Sequence, residues 1–354
     1  MSVLSELKVL EIASVLAGPA VGMYFAEKGA KVIKVENIRT KGDVTRSWKL
    51  SEEDKDAEIS AYFCAVNWHK DYIMLDLSDT NERNRIEQLI KDSDILITNF
   101  KAGDAKKFNL DFDSVKTMNE TIIHAELSGF GPDSERIAYD LVLQAETGFM
   151  SMNGTSESGP IKMPIAMIDL LAAHQLKEGI LEALLERNIH PKAYHVEVSL
   201  YDSAIASLAN QATNYLMADH IPQPMGSLHP NIAPYGEIFI TKDNQQLTLA
   251  VGSDRQFEAV LELLGLEKKE SFATNKQRVE NRSEIFNLIQ NKIRDWDADK
   301  LCDRLIELKV PVAKINDLKA VFEQAAAKKL VLEENISGKQ TKRVKTSVYH
   351  LTSS

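Results

Sequence analysis

Branched apolar residues cluster in short runs over roughly the first third of the chain, and helical stretches separate several of them. Residues 7–12 (LKVLEI) and 31–35 (KVIKV) predict strands, with a helix over 20–28 between them that Gly29 ends. Ser14 to Pro19 reads as the turn; Pro19 suits a first helical position, where its missing N–H costs nothing. Strand, helix and strand within about thirty residues make a βαβ unit. Residues 72–77, 94–98 and 121–127 predict further strands, and 81–91 a helix between two of them. Such alternation implies an α/β fold, a mostly parallel sheet covered on both faces.

The texture then changes. Residues 168–216 are helical in pattern, apart from a strand at 194–199 (YHVEVS). Residues 226–236 hold Pro230, Pro234 and two glycines and mark a boundary. Beyond it, 235–251 alternate as a hairpin, 254–264 and 282–308 read as amphipathic helices, and 310–315 as a strand-like return. The basic stretch 339–347 is expected at the periphery. This predicts a large α/β domain whose N-terminal part spans 1–215, a small α+β domain over 226–310, and a return to the large domain over 311–354.

Composition narrows the function. The chain has 354 residues with 44% apolar and 27% charged, the balance of a folded protein. Lys and Arg number 42 against 52 Asp and Glu, a net charge of −10, so no basic footprint for nucleic acid is present. Two distant cysteines, Cys64 and Cys302, make neither a disulfide framework nor a zinc cluster. The apolar stretch 170–185 is interrupted by His174, Lys177, Glu178 and Glu182, so it predicts a core-facing helix and no membrane span. The opening residues show no secretory pattern. A cytoplasmic protein without a membrane partner is expected.

Residues that carry chemistry are few. The first turn holds Ala17-Gly18-Pro19 and no G-x-G-x-x-G, so dinucleotide binding is unsupported, although a helix N-terminus there can receive phosphate oxygens. The eight histidines are scattered; His190 and His195 lack metal spacing, and no metal is expected. Asp140 (AYDLVLQA) and Asp169 (MPIAMIDLLAAH) stand in apolar surroundings, where a carboxylate needs a reason. Asp169 fits either a helix N-cap or a functional carboxylate.

In order and spacing, several segments resemble the class III CoA-transferases, the family of formyl-CoA and carnitine CoA-transferases and of the α-methylacyl-CoA racemases. They include LKVLEIASVLAGP, EKGAKVIKVEN, GDVTR, NWHKDYIMLDL, DILITNFKAG, LSGFGP, YDLVLQAETGFM, MIDLLAA, HPNIAPYGEIF, AVGSDRQF and VPVAKIND. The resemblance spans residues 5 to 335. It implies a Rossmann-like large domain, a smaller α+β domain and an interlocked homodimer. It also implies coenzyme A or acyl-CoA as substrate, a carboxylic acid as acceptor, and Asp169 as catalytic nucleophile.

Further residues map by the same resemblance. Leu16 and Ala17 match first-turn positions that meet the nucleotide. The family's usual phosphate-facing Arg falls on Asn37, with Arg39 as its substitute. Asn67 to Lys70 and Asn99, Phe100 and Lys101 match loops that line the adenosine, and Lys107 a basic contact. Ala138, Tyr139 and Asp140 match the pantetheine arm. The racemases carry a His where this chain has Tyr139, yet Glu237 matches an acid that they use. CoA transfer through an aspartyl intermediate is the expected activity; racemisation of an acyl-CoA and non-catalytic CoA binding are the alternatives.

Overall fold

Six parallel strands build the main sheet: β1 (Lys8–Ile12), β2 (Lys31–Asn37), β3 (Asp71–Leu75), β4 (Ile95–Thr98), β5 (Ile123–Ser128) and β6 (Tyr194–Ser199). Their spatial order is β3-β2-β1-β4-β5-β6. This computed structural model describes residues 2–336 and 338–352. The strands read as near-continuous apolar runs because both faces are buried, as all four residues of β4 illustrate. Alternation divides them between two cores. Val9, Ile95, Ile97, Ile123 and Ala125 face α1 (Ala17–Glu27) and a long helix at Met167–Ile189, while Leu10, Ile12 and Leu96 face the opposite layer. That opposite layer includes α2 (Phe112–Met118), which contributes Val115. On the first face, α3 (Asp140–Glu146) adds Leu143 beside the long helix, α4 (Met167–Ile189). This is the α/β architecture that the alternation predicts.

Two compact units form. One comprises Met1–Met150, Lys162–Pro222 and Lys329–Ser354; the other comprises Ser151–Ile161 and Gln223–Lys328. The second holds an antiparallel sheet of β7 (Tyr235–Ile240), β8 (Gln246–Ala250) and β9 (Val312–Lys314). Helices Asp254–Leu264, Arg282–Ile293 and Ala298–Glu307 bury their apolar stripes against it. The expected return at 311 is corrected: β9 pairs with β8, Leu249 opposite Val312, so the chain rejoins the first unit only at Lys329.

Two local expectations also change. Helix α1 starts at Ala17, which makes Pro19 its third residue; a first-turn proline removes no intrahelical bond. The basic C-terminal stretch is no peripheral tail. β10 (Val331–Ile336) and β11 (Lys339–Val344) form a hairpin, and buried Arg343 pairs with Glu27 through Nη2 and Oε1 at 2.6 Å. Among the described residues, no helix is long and apolar enough to cross a membrane.

Candidate active site

Strand order reverses between β1 and β4, and ligands of open α/β sheets bind in the crevice at the carboxyl ends of such strands. The turn after β1 is held there on three sides. Asn99, just past β4, accepts from Ser14 N–H (3.1 Å) and donates to Ser14 C=O (2.9 Å). The Asp43 carboxylate accepts from Val15 N–H at 3.2 Å. Lys34 Nζ donates to Ala13 C=O at 2.6 Å. Val15 needs this support: its φ of 73° is strained for a β-branched residue, a cost of about 1–3 kcal/mol.

The support is itself a buried charge network. Glu11 accepts Lys34 through Oε1 (2.9 Å) and Lys70 through Oε2 (2.7 Å), and Lys34 also reaches Asp43 Oδ2 at 3.2 Å. Burial opposes the charge on Lys34, but the carboxylates of Glu11 and Asp43 outweigh it and raise its pKa. Lys70, with fewer carboxylates and Lys34 nearby, is pushed down to about 8, mainly by burial. Gly22 makes room for this network, since a Cβ there would lie 1.9 Å from Glu11 Oε2. Gly18 lets α1 approach β1 closely: its Cβ would meet that of Ala13 at 2.6 Å. The first N–H groups of α1, at Ala17 and Gly18, have no intrahelical acceptor and follow directly on the turn after β1.

Asp169 is the third residue of α4, in its first turn; the N-cap is Ala166, which supplies no side-chain bond. The N-cap reading of Asp169 is therefore corrected. Asp140 caps α4 from outside: its Oδ1 accepts from Ile168 N–H at 2.7 Å. Gln144 Nε2 donates to Asp140 Oδ2 at 2.5 Å, and Gln144 Oε1 accepts from Met163 N–H at 2.8 Å. Asp169 keeps 8% exposure, and no hydrogen bond or ion pair reaches its carboxylate among the described residues. Burial, joined by the Asp140 charge, pushes it up to about 7. So it is only partly ionised at neutral pH, where an ordinary Asp titrates near about 4. Tyr62, half-buried and edge-on to Trp48 at 5.0 Å, has its phenol pKa raised by burial and then by the charges of Asp169, Asp140 and Asp43. Sequence reasoning missed Tyr62, Gln144 and Asp43; the helical i,i+4 spacing from Asp140 could have found Gln144, whereas only the fold brings Tyr62 and Asp43 into the field of these carboxylates.

The residues matched to CoA separate into two groups. Leu16 and Ala17 follow β1, Asn37 ends β2 with Arg39 just beyond it, and Asn99, Phe100 and Lys101 follow β4, all at the carboxyl end of the sheet. Ala138, Tyr139 and Asp140 come after β5; Ala138 lies against Gly129, and Tyr139 is exposed. Asn37 Oδ1 accepts from Arg39 N–H (2.9 Å), and the largely exposed Arg39 pairs with Asp76 at 2.7 Å. Lys107 is exposed, its Nζ 5.2 Å from the Phe108 ring. Asn67 and Lys70 form the other group. They precede β3 and are buried, Asn67 bonded to Phe63 C=O and Lys70 to Glu11, Pro19 C=O and Asn67. Their side chains are committed to the fold. In the second unit, Glu237 Oε1 is held by Arg282 at 2.7 Å. The metal-capable group found among the described residues, His124, Glu126 and His195, lies on β5 and β6.

The family model for CoA-transferase family III matches residues 4–352. A succinate–glutarate CoA-transferase of Agrobacterium fabrum is 34% identical over 328 residues, covering 90% of this chain and 81% of that protein. The succinyl-CoA:glutarate CoA-transferase of Mus musculus is 30% identical, covering 95% and 77%. A succinyl-CoA:mesaconate CoA-transferase of Haloarcula hispanica is also 30% identical, covering 91% and 83%. The crystal structure of a CAIB/BAIF family protein from Brucella suis matches with a TM-score of 0.86 at 34% identity, over 99% of this chain and 93% of that one. A partner-free carboxylate in the first turn of α4 and a sheet of Rossmann strand order thus sit in a chain that belongs to CoA-transferase family III and is an enzyme of that type.

Proposed function

We propose that this enzyme moves CoA from a short dicarboxylyl-CoA, of the succinyl-CoA type, to a short dicarboxylic acid such as glutarate, through a covalent intermediate on Asp169. One observation carries the reading: Asp169 is nearly buried and free of partners because Asp140 takes over the capping of its helix. A carboxylate with a raised pKa is also a better nucleophile once ionised. The printed activities of the relatives supply the substrate class.

The chemistry balances without ATP. A carboxylate oxygen of Asp169 attacks the thioester carbonyl, the C–S bond breaks, and CoA leaves as thiolate. The thiolate attacks the aspartyl carbonyl of the anhydride and releases the first acid, leaving an aspartyl-CoA thioester. An acceptor carboxylate attacks that thioester, forming a second mixed anhydride and freeing the thiolate again. Thiolate attack on the acceptor's carbonyl then releases the new acyl-CoA and regenerates Asp169. Water must be kept out, since an anhydride hydrolyses. Exposed Ile137, Leu141 and Ile165, near Asp140 and Asp169 in sequence, are apolar surface suited to that exclusion once covered.

CoA itself would lie at the switch point. The N–H groups of Ala17 and Gly18 and the exposed cations Arg39, Lys101 and Lys107 would face its phosphates, focusing positive potential on an acidic protein. Leu16, Asn99 and Phe100 would flank the nucleotide, and Ala138, Tyr139 and Asp140 the pantetheine arm. A homodimer, interlocked as the resemblance implies, suits the apolar residues left exposed on the first unit, among them Leu185, Ile189, Leu216 and Met217.

The test is hydroxylamine trapping during incubation with succinyl-CoA, read by mass spectrometry, alongside conversion of glutarate to glutaryl-CoA. A hydroxamate at Asp169, and loss of exchange with retained CoA binding in Asp169→Ala, is expected. Exchange that proceeds in Asp169→Ala refutes the mechanism.

A further inference from the structure

We infer that His124, Glu126 and His195 form a binding site for one divalent transition-metal ion of the zinc class, on the sheet face opposite α4. The parallel register sets His124 beside His195, and Glu126 is two residues on from His124, so alternation brings all three to one face. None of them takes part in the CoA-transfer chemistry.

His124 presents the donor that a metal needs. His124 is fully buried; its Nε2 lies 3.0 Å from Thr98 Oγ1, and its Nδ1 is buried with no hydrogen-bond partner. An Nε2–H donated to the Thr98 hydroxyl leaves a lone pair on Nδ1, the arrangement in which an outer partner fixes the tautomer of a ligating imidazole.

The geometry is close to closure. His195 Nε2 stands 3.1 Å from Glu126 Oε2, a spacing that two ligands of one ion adopt. All three donors lie within 4.8 Å of one another. Bonds of about 2.1 Å at tetrahedral angles set two ligand atoms about 3.4 Å apart, so the widest pair must close by roughly 1.4 Å. His195, the exposed member, has the freedom to make that move. Phe112 stacks on its ring at 4.8 Å and 7°, which guides the ring in its plane. The Asp111 carboxylate adds negative potential, but its oxygens are taken by Ser114 N–H (3.2 Å) and Oγ (2.8 Å), so it stays outside the coordination sphere. An orphaned buried nitrogen is otherwise costly, and an ion would give it a partner. Two imidazoles and one carboxylate suit zinc, cobalt or nickel and leave a fourth position for water on the open side.

Full-length protein freed of metal by chelation is titrated with Zn2+ by calorimetry and with Co2+ by visible spectroscopy. One equivalent should bind, with the cobalt form showing ligand-field bands of a low-coordinate site. His195→Ala and Glu126→Gln, which leave buried His124 in place, should each weaken Zn2+ at least about 100-fold, while His220→Gln on the surface should not. A wild-type measurement covers the case in which a variant fails to fold. Zn2+ should slow carbethoxylation of His195 at least tenfold, read by mass spectrometry, and leave that of His220 unchanged. Binding that survives both substitutions, no saturable equivalent, or unprotected His195 overturns the assignment.

Discussion

Replacing Asp169 by Asn should stabilise this protein at alkaline pH while abolishing CoA exchange. The folded state raises the carboxyl of Asp169 to about 7, and the unfolded chain returns it to the ordinary Asp value. Between those values the native state binds the extra proton, so stability falls as pH rises through the interval. Each pH unit crossed is worth about 1.4 kcal/mol, which gives a cost of roughly 4 kcal/mol at about pH 8 and under 2 kcal/mol at about pH 5. An Asn has no charge to bury and escapes the pH-dependent part. Its own packing cost is the same at both pH values and cancels when they are compared. Urea unfolding of wild type and Asp169→Asn at both pH values should therefore show the variant's relative stability growing by roughly 2–3 kcal/mol toward alkaline pH. A relative stability that stays level, or falls, would mean that Asp169 ionises as easily folded as unfolded, and the account of its reactivity would be lost.

Three other outcomes follow from the same geometry. Asp140→Asn keeps an acceptor for Ile168 N–H but removes the like charge, so the acid limb of the kcat/KM profile should move to lower pH; an unmoved limb refutes the coupling. Lys34→Met leaves Asp43 without its cation, Glu11 with Lys70 alone and Ala13 C=O without its donor, which should cost about 3–5 kcal/mol in urea unfolding and raise KM for acyl-CoA; a loss below about 1 kcal/mol would show that the network does not brace the turn. The pair Lys101→Ala and Lys107→Ala should raise KM for acyl-CoA and flatten its dependence on ionic strength, with kcat little changed; a salt dependence like that of wild type would remove these cations from the phosphate site.

Much of the first unit was legible in the residues themselves. Runs of branched apolar side chains predict the strands of the parallel sheet because a strand buried on both faces has no polar alternation to confuse it. Order and spacing of the matching segments pointed to the family and to Asp169, a lone carboxylate in apolar sequence. The hairpin at Val331–Ile336 and Lys339–Val344 was not legible, because its charged residues resemble a solvated tail until Glu27 is seen to receive Arg343.

What only the tertiary structure decided are the partnerships between distant residues. Sequence determines which side chains need a partner, since local composition sets what each element must bury. It does not determine which partner they meet, because that depends on strand order and register. Lys70, which matches a loop that lines the adenosine, has its side chain sunk against Glu11. Asp140 relieves Asp169 of capping from across a loop, and His124 and His195 become neighbours through the pairing of β5 with β6.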